Sequence, residues 1–296
     1  MDGLLLIDKP AGMTSHDVVG RVRRLARTKK VGHTGTLDPD ATGLLPLTIG
    51  QCTRLAQYLI LDTKEYLFSL ELGTQTDTDD ASGAVIARSD PSHVTSEVLE
   101  RALQSFRGPI LQRPPKYSAI RVDGERAYDL ARRGVVFELE PRPVTVLALT
   151  LEGVDLPSAS FTLRCTSGTY VRSIVRDLGV AMGTHAHTTR IRRTQVGAFR
   201  IEDAVTLDDL EAEATTVADV LRTPAQMMAS LRGVALSSVD VDHIRHGRAV
   251  RTTQEVSHDE HVCLLDAHGA LVAVAVAERA GAGDEVVLKP RRVLRA

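Results

Sequence analysis

The sequence predicts an α+β protein: a mixed, largely antiparallel central sheet with flanking helices, followed by a small C-terminal β-rich domain. Three observations lead there. Apolar stretches of strand length, such as EYLFSLEL at 65–72 and VTVLALTL at 144–151, are interspersed with segments of helical periodicity. They follow no regular β–α–β spacing, which argues against a doubly wound parallel sheet. After Leu231 only short strand-like pieces remain.

Taken in order, Leu4–Ile7 is an apolar strand closed by a turn over Asp8–Gly12. Thr14 or Ser15 can cap a helix whose Val18, Val22 and Leu25 follow helical spacing, presenting Arg21, Arg24 and Lys29 or Lys30 to solvent. Strands are expected at 65–72, 144–151 and 161–165, and helices at 96–106, 125–133 and 171–178, the last stopped by Gly179. Residues 202–231 read as an acidic helical connector that closes a main unit over 1–231. Residues 232–296 read as a second unit with strands at Ala249–Arg251, His261–Leu265, Leu271–Ala277 and Glu285–Leu288 and turns at 267–269 and 280–284. At about 60 residues it is too small for a deep enzyme core.

Of the 296 residues 43% are hydrophobic and 25% charged, the composition of a soluble globular protein. No apolar run approaches the roughly 18 residues of a membrane helix. The start MDGLLLIDKP lacks the basic end and long apolar core of a signal peptide. The three cysteines, Cys52, Cys165 and Cys263, are scattered and form no metal-binding pair. A cytoplasmic protein is expected. The net charge of −2 hides a local imbalance: RVRRLARTKK (21–30) and RIRRTQVGAFR (190–200) contain no acid, while IEDAVTLDDLEAE (201–213) contains no base. One basic run fits a solvated helix face; two favour a bound polyanion. With aromatics at 3% and no tryptophan, an extended base-stacking platform is not expected.

The most informative stretch is VGHTGTLDPDATGLLPL (31–47). Gly32, Gly35, Gly43, Pro39 and Pro46 enclose His33, Thr34, Thr36, Asp38 and Asp40. Glycine permits tight or left-handed backbone and proline fixes φ, so a sharply shaped loop is expected to present polar side chains. Such loops carry catalytic groups on a rigid scaffold, but Asp-Pro is also ordinary turn chemistry. Asp38-Pro39-Asp40 is an acidic pair of the type that can hold a divalent cation; no further Asp, Glu or His is placed to complete a shell, so no metal site is expected.

Several blocks in order resemble the TruB-type bacterial tRNA pseudouridine synthases: GLLLIDKPAGMTSHDVV (3–19), GHTGTLDPDATGLLPL (32–47), KEYLF (64–68), LGTQTDTDDASG (72–83), PPKYSAIRVDGERAYDLARRG (114–134), SGTYVRSIVRDLG (167–179) and IRRTQVGAF (191–199). The end of the chain, HGRAV with LLDAHGALVAVA and LKPRRVL, more loosely resembles a PUA-type RNA-binding domain and is short for the type. The resemblance implies the pseudouridine synthase fold and isomerisation of uridine-55 in the T loop of tRNA. It matches Asp38 to the essential carboxylate, Tyr66 to the tyrosine beneath the target base and Arg172 to the arginine that pairs with the aspartate. His33 matches a histidine that packs into the T loop, Ile191 a pocket-lining aliphatic residue, and Lys9 with Pro10 a supporting pair. Tyr170 lies in the same block as Arg172. Arg192 and Arg193 flank Ile191 and are expected to contact phosphates. Residues 114–134 are expected to close over the loop, with Gly124 and Gly134 permitting the movement.

Pseudouridine formation breaks the bond from ribose to N1 of uracil and remakes it to C5, without net redox change or hydrolysis, so no cofactor is required. A carboxylate of pKa about 3.9 is ionised at neutral pH and can serve as nucleophile; whether it adds to the base, to the sugar carbon, or supports a glycal-type path is not read from the sequence. The expected partner is the T-arm of tRNA; neither a membrane nor an obligatory protein partner is expected. Two rival readings are a non-catalytic RNA-binding module and a metal-dependent glycosyl-transfer enzyme built on Asp38 and Asp40. Because the implied chemistry ends near residue 200, a chain cut near Arg222 is expected to fold and act alone.

Overall fold

The computed structural model describes residues 1–60, 62–279 and 286–295. The expected turn at 280–284 and the first residue of the strand expected at 285–288 lie outside them. Among the described residues the strands form a ten-stranded sheet, a separate five-stranded sheet and two small ribbons. The main sheet runs in the order Val205–Thr206, Gly3–Lys9, Thr42–Ile49, Ala186–Val196, Lys64–Leu72, Ser158–Cys165, Arg142–Asp155, Gly108–Gln112. Val31–His33 adds to Thr42–Ile49, and Phe199–Arg200 folds back on Ala186–Val196. Neighbours are antiparallel except where Gly3–Lys9 meets Val205–Thr206 and where Thr42–Ile49 meets Ala186–Val196. This is the mixed, largely antiparallel sheet expected.

Strand alternation divides the apolar residues between two cores. Along Gly3–Lys9, Leu5 and Ile7 join Tyr66, Phe68, Leu70 and the buried faces of helices Ser15–Leu25, Ser96–Gln104 and Val171–Ala181. Leu4 and Leu6 point the other way, into a second cluster with Leu44, Leu55 and Phe199. That second cluster is completed by Met227, Met228, Cys263, Leu271, Val274 and Leu294. The C-terminal sheet, which begins with Arg232–Ala235, has its own interior around Ile244, Leu264 and Leu288.

Thr14 caps the first helix through a capping box with Asp17. The helix ends at Leu25, and Arg27 is left-handed at φ 49°, so the basic stretch 21–30 is half helix and half turn. Helices also form at Ser96–Gln104 and Val171–Ala181; the second runs through Gly179, expected to stop it, and is capped at Met182 before the left-handed Gly183. The helix expected from 125 starts at Ala127, because Glu125–Arg126 pairs with Arg121–Val122 across an Asp123-Gly124 turn with both φ positive. The connector is not one helix. It is a 3-10 turn at Ile201–Asp203, a strand and three short α-helices, Leu207–Glu211, Val217–Val220 and Pro224–Met227, each of the three opened by a threonine capping box. Asp209 and Asp219 are spent on those boxes, which accounts for part of the acidity. The strand Ala186–Val196, which lines the site, has no counterpart in the expected elements. Its arginines and threonines, with bulges between Thr188 and Arg190 and between Arg193 and Gln195, mask the alternation.

Candidate active site

The segment from Gly35 to Ala41 leaves strand Val31–His33 and enters strand Thr42–Ile49. Scaffold side chains hold its alternate carbonyls. Arg193 Nη2 donates to Gly35 O at 3.1 Å, Ser15 Oγ to Leu37 O at 3.1 Å, and Lys9 Nζ to Pro39 O at 2.8 Å. Ser15 Oγ also accepts from Leu37 N at 2.9 Å. A turn closed by Ala41 N on Asp38 O at 3.1 Å sets Pro39 in its second position. The parallel strands Thr42–Ile49 and Ala186–Val196 pair only at Arg192–Thr42 and Arg193–Gly43, and Gly43 has φ 100°. A Cβ there would stand 2.3 Å from Arg193 O, so of the three glycines in the motif this one is required by close approach. Asp38 is thus fixed at a split between central strands, in a cleft of about 90 Å³ lined also by Asp40, Asp80, Ser82, Thr188 and Ile191.

Arg172 stands at the start of Val171–Ala181 and meets Asp38 with two nitrogens: Nε lies 2.9 Å from Oδ2, and Nη2 donates to Oδ1 at 3.0 Å. Its side chain is 4% exposed, whereas that of Asp38 keeps 37% of its surface open to the cleft. Arg172 also donates to Thr78 O at 2.8 Å and Tyr117 O at 2.9 Å, and lies 3.5 Å from Asp80 Oδ2. Protein packed behind Asp38 raises its carboxyl above the ordinary carboxylate range; Arg172 opposes that, and Asp80 adds to it. Asp80 is the site residue that sequence reasoning missed. Its signal was the acidic run Asp77-Thr78-Asp79-Asp80 within a block already singled out.

Tyr66 is buried in strand Lys64–Leu72, opposite Arg193 in the pairing register. Burial raises its hydroxyl pKa, and the Arg193 guanidinium beside it acts against that. Ile191 lines the cleft and packs on the main core. Tyr170 immediately precedes the Arg172 helix, with its hydroxyl beside Ser118 and its pKa raised by burial. His33 lies in strand Val31–His33 with Nδ1 buried and unpartnered; burial and Arg193 lower its pKa. Lys9 is fully buried and donates to Pro10 O, Met13 O and Pro39 O. Burial pulls its pKa down to about 8, with Asp40 and Asp38 opposing.

Arg193 departs from the expected phosphate contact, whereas the side chain of Arg192 keeps 28% of its surface open. Adjacent strand residues face opposite sides of a sheet, so the two cannot share a phosphate face. Arg192 is held by Asp8 through two contacts at 3.0 and 2.7 Å. Arg193 is 2% exposed and donates to Leu44 O at 2.8 Å as well as to Gly35 O. It ties the Gly35–Ala41 loop to the sheet. Arg21 and Arg23 of the first helix are likewise engaged, with Glu211 and Val31 O. Arg193→Met should therefore lower stability by about 3–5 kcal/mol, because buried carbonyls lose their donor. A urea melt within 1 kcal/mol of wild type would contradict this tethering role. Among the described residues no group of three or more His, Cys, Asp or Glu side chains is placed to hold a metal ion, and no helix is long and apolar enough to cross a membrane.

The model of the TruB family pseudouridylate synthase N-terminal domain matches residues 23–171, and that of the tRNA pseudouridylate synthase B C-terminal domain matches 172–239. The boundary between them falls within the helix that carries Arg172. The tRNA pseudouridine synthase B of Thermobifida fusca (strain YX) is 41% identical over 295 residues, covering 97% of this chain and 98% of that protein. Its counterpart in Geobacter sulfurreducens is 43% identical over 249 residues, covering 83% and 82%. A chain in the structure of an H/ACA RNP bound to a substrate RNA containing 2'-deoxyuridine superposes with a TM-score of 0.77 at 22% identity, over 99% of this chain and 85% of that one. At that identity the likeness speaks for the fold.

Proposed function

The chain belongs to the TruB family of pseudouridylate synthases, and we propose that it converts uridine-55 in the T loop of tRNA to pseudouridine, with Asp38 as the catalytic carboxylate. The observation that carries this reading is the two-point grip of Arg172 on Asp38 beside an open cleft. The planar guanidinium aims both carboxylate oxygens and favours the charged form, which is the nucleophilic one. The target uridine leaves its stack to reach the cleft, as substrates of base-modifying enzymes do. The C1′–N1 bond breaks, the uracil turns within the pocket, and C1′ bonds to C5. The C5 proton then leaves and N1 gains one, so atoms balance without a co-reactant. Tyr66 supports the base as a neutral phenol, and Ile191 bounds it on the apolar side. Lys9 and Arg193 hold the loop, and His33 meets the folded T loop. The segment 114–134, whose base is tied to Arg172 through Tyr117 O, closes over the RNA.

The test is carbodiimide mapping of an unmodified tRNA transcript and of an isolated T-arm stem-loop after incubation with the protein. Pseudouridine at position 55 in both is expected. Product at another position, or none, would overturn the reading. The pH profile is a second check. Protonation removes the nucleophile, and burial raises the Asp38 pKa, so kcat should fall on the acid side with a limb above the roughly 3.9 of a free aspartate. A limb below that value would exclude Asp38 as the titrating group.

A further inference from the structure

The Asp38–Arg172 pair is flanked by a second arginine–aspartate pair one helical turn away. Arg176 follows Arg172 at i+4 on Val171–Ala181, so both share a face. Arg172 holds Thr78 O and faces Asp80, while Arg176 Nη1 lies 3.1 Å from Asp79 Oδ2. The two arginines grip consecutive residues of one loop. Asp79 is 6% exposed and left-handed at φ 61°, a backbone conformation that non-glycine residues adopt rarely and keep where surroundings fix it. Here Arg176 holds its side chain, and Thr188 N donates to its carbonyl at 3.0 Å. Arg176 Nη2 also donates to Arg113 O at 2.8 Å, an oxygen shared with Ser173 Oγ, and its Nε is taken by Asp177. The helix thereby anchors the Thr78–Asp80 loop and both Arg113 and Tyr117, the base of the closing segment.

These two attachments make up the surroundings of Arg172. Its three nitrogens face five acceptor atoms at 2.8–3.5 Å: two on Asp38, one each on Thr78, Asp80 and Tyr117. A guanidinium has five N–H groups, so its orientation is over-determined, and three of the five acceptors belong to segments that Arg176 holds. Neither Arg176 nor Asp79 lines the cleft. We propose that Asp79 and Arg176 are positioning residues that lock the Thr78–Asp80 loop and the Arg113–Tyr117 stretch on the helix, and so keep Arg172 in the orientation that meets Asp38 twice. This rests on the catalytic reading of Asp38.

The test uses Arg176→Gln and Arg176→Lys in the full chain. Misplacement of a catalytic group by about 1 Å can cost 100-fold, so Arg176→Gln should lower kcat on the T-arm stem-loop by about 10- to 100-fold, with KM changed less than about threefold. The acid limb of kcat should move to higher pH. The charged or titratable groups facing Asp38 are Arg172, Asp80 and Lys9, with Tyr66 and Tyr170 close by. Only the grip of Arg172, which favours the ionised carboxylate, is loosened, while burial still favours the protonated form. Arg176→Lys keeps a cation against Asp79 and should recover part of kcat. Carbon-detected NMR titration of the Asp38 carboxyl should show the same upward shift in Arg176→Gln without any turnover. Unchanged kcat in a folded Arg176→Gln variant would overturn the proposal. So would a loss of activity that only follows the folded fraction in a thermal melt, with the Asp38 titration unmoved. Failure of the wild-type chain to modify the stem-loop would instead sink the catalytic reading, and the NMR titration would still decide whether Arg176 positions Arg172.

Discussion

Asp38→Asn should abolish turnover, by on the order of 10⁴-fold or more, and leave affinity for tRNA within about tenfold of wild type. The amide keeps the size of the carboxylate and one oxygen for Arg172, so the cleft retains its shape. It cannot carry the negative charge from which a nucleophile acts. The fold should survive, because the buried guanidinium keeps Asp80 and the carbonyls of Thr78 and Tyr117. Single-turnover assays on a tRNA transcript, with filter binding alongside, separate the two effects. Measurable pseudouridine from a clean preparation of the variant would remove Asp38 from its assigned role. A hundredfold loss of binding would show that the carboxylate serves RNA capture.

Much of this site was legible in the chain, for reasons that differ from residue to residue. Asp38 stood out because the prolines and glycines around it describe a shaped loop. Gly43 proved to be the glycine that geometry requires, and only the approach of Arg193 O reveals it. No local pattern links Asp38 to Arg172, 134 residues away; that pairing was readable only through family resemblance. Arg193 was misjudged with its neighbour Arg192 because a basic run is a one-dimensional feature. Once strand Ala186–Val196 is drawn, period two sends one to Asp8 and the other into the interior. Asp80 passed unnoticed in an acidic run that resembles a solvated turn, and only the helix carrying Arg172 and Arg176 gives that run its meaning. The first helix cap was legible to within one residue, Thr14 or Ser15, and the structure settles on Thr14, whose box with Asp17 follows a local rule.

A chain ending at Arg222 should fail to form a stable monomer, contrary to what the order of the motifs suggests. The implied chemistry does end near residue 200, but the packing does not. One face of the strand Gly3–Lys9 presents Leu4 and Leu6, which with Leu44, Leu55, Leu59 and Phe199 are nearly inaccessible in the full chain. Met227, Met228, Cys263, Leu271, Val274 and Leu294 cover that cluster, and all six lie beyond the cut. Gln51 pairs with the backbone of Arg295, and Tyr58 packs edge-on against His261, so the cut also removes polar and aromatic docking. Fully exposing a large apolar side chain costs about 1.5–3 kcal/mol. Half-exposure of six comes to roughly 5–9 kcal/mol, against a total stability of about 5–15 kcal/mol for a typical domain. The truncated chain should therefore aggregate or melt without cooperativity, and its stem-loop turnover should fall with its folded fraction. Size-exclusion chromatography and a circular-dichroism melt beside the full chain decide the matter. A monomeric truncation that melts cooperatively and modifies the stem-loop at the wild-type rate would mean that the second unit merely rests on the first, and that the apolar face of Gly3–Lys9 tolerates water.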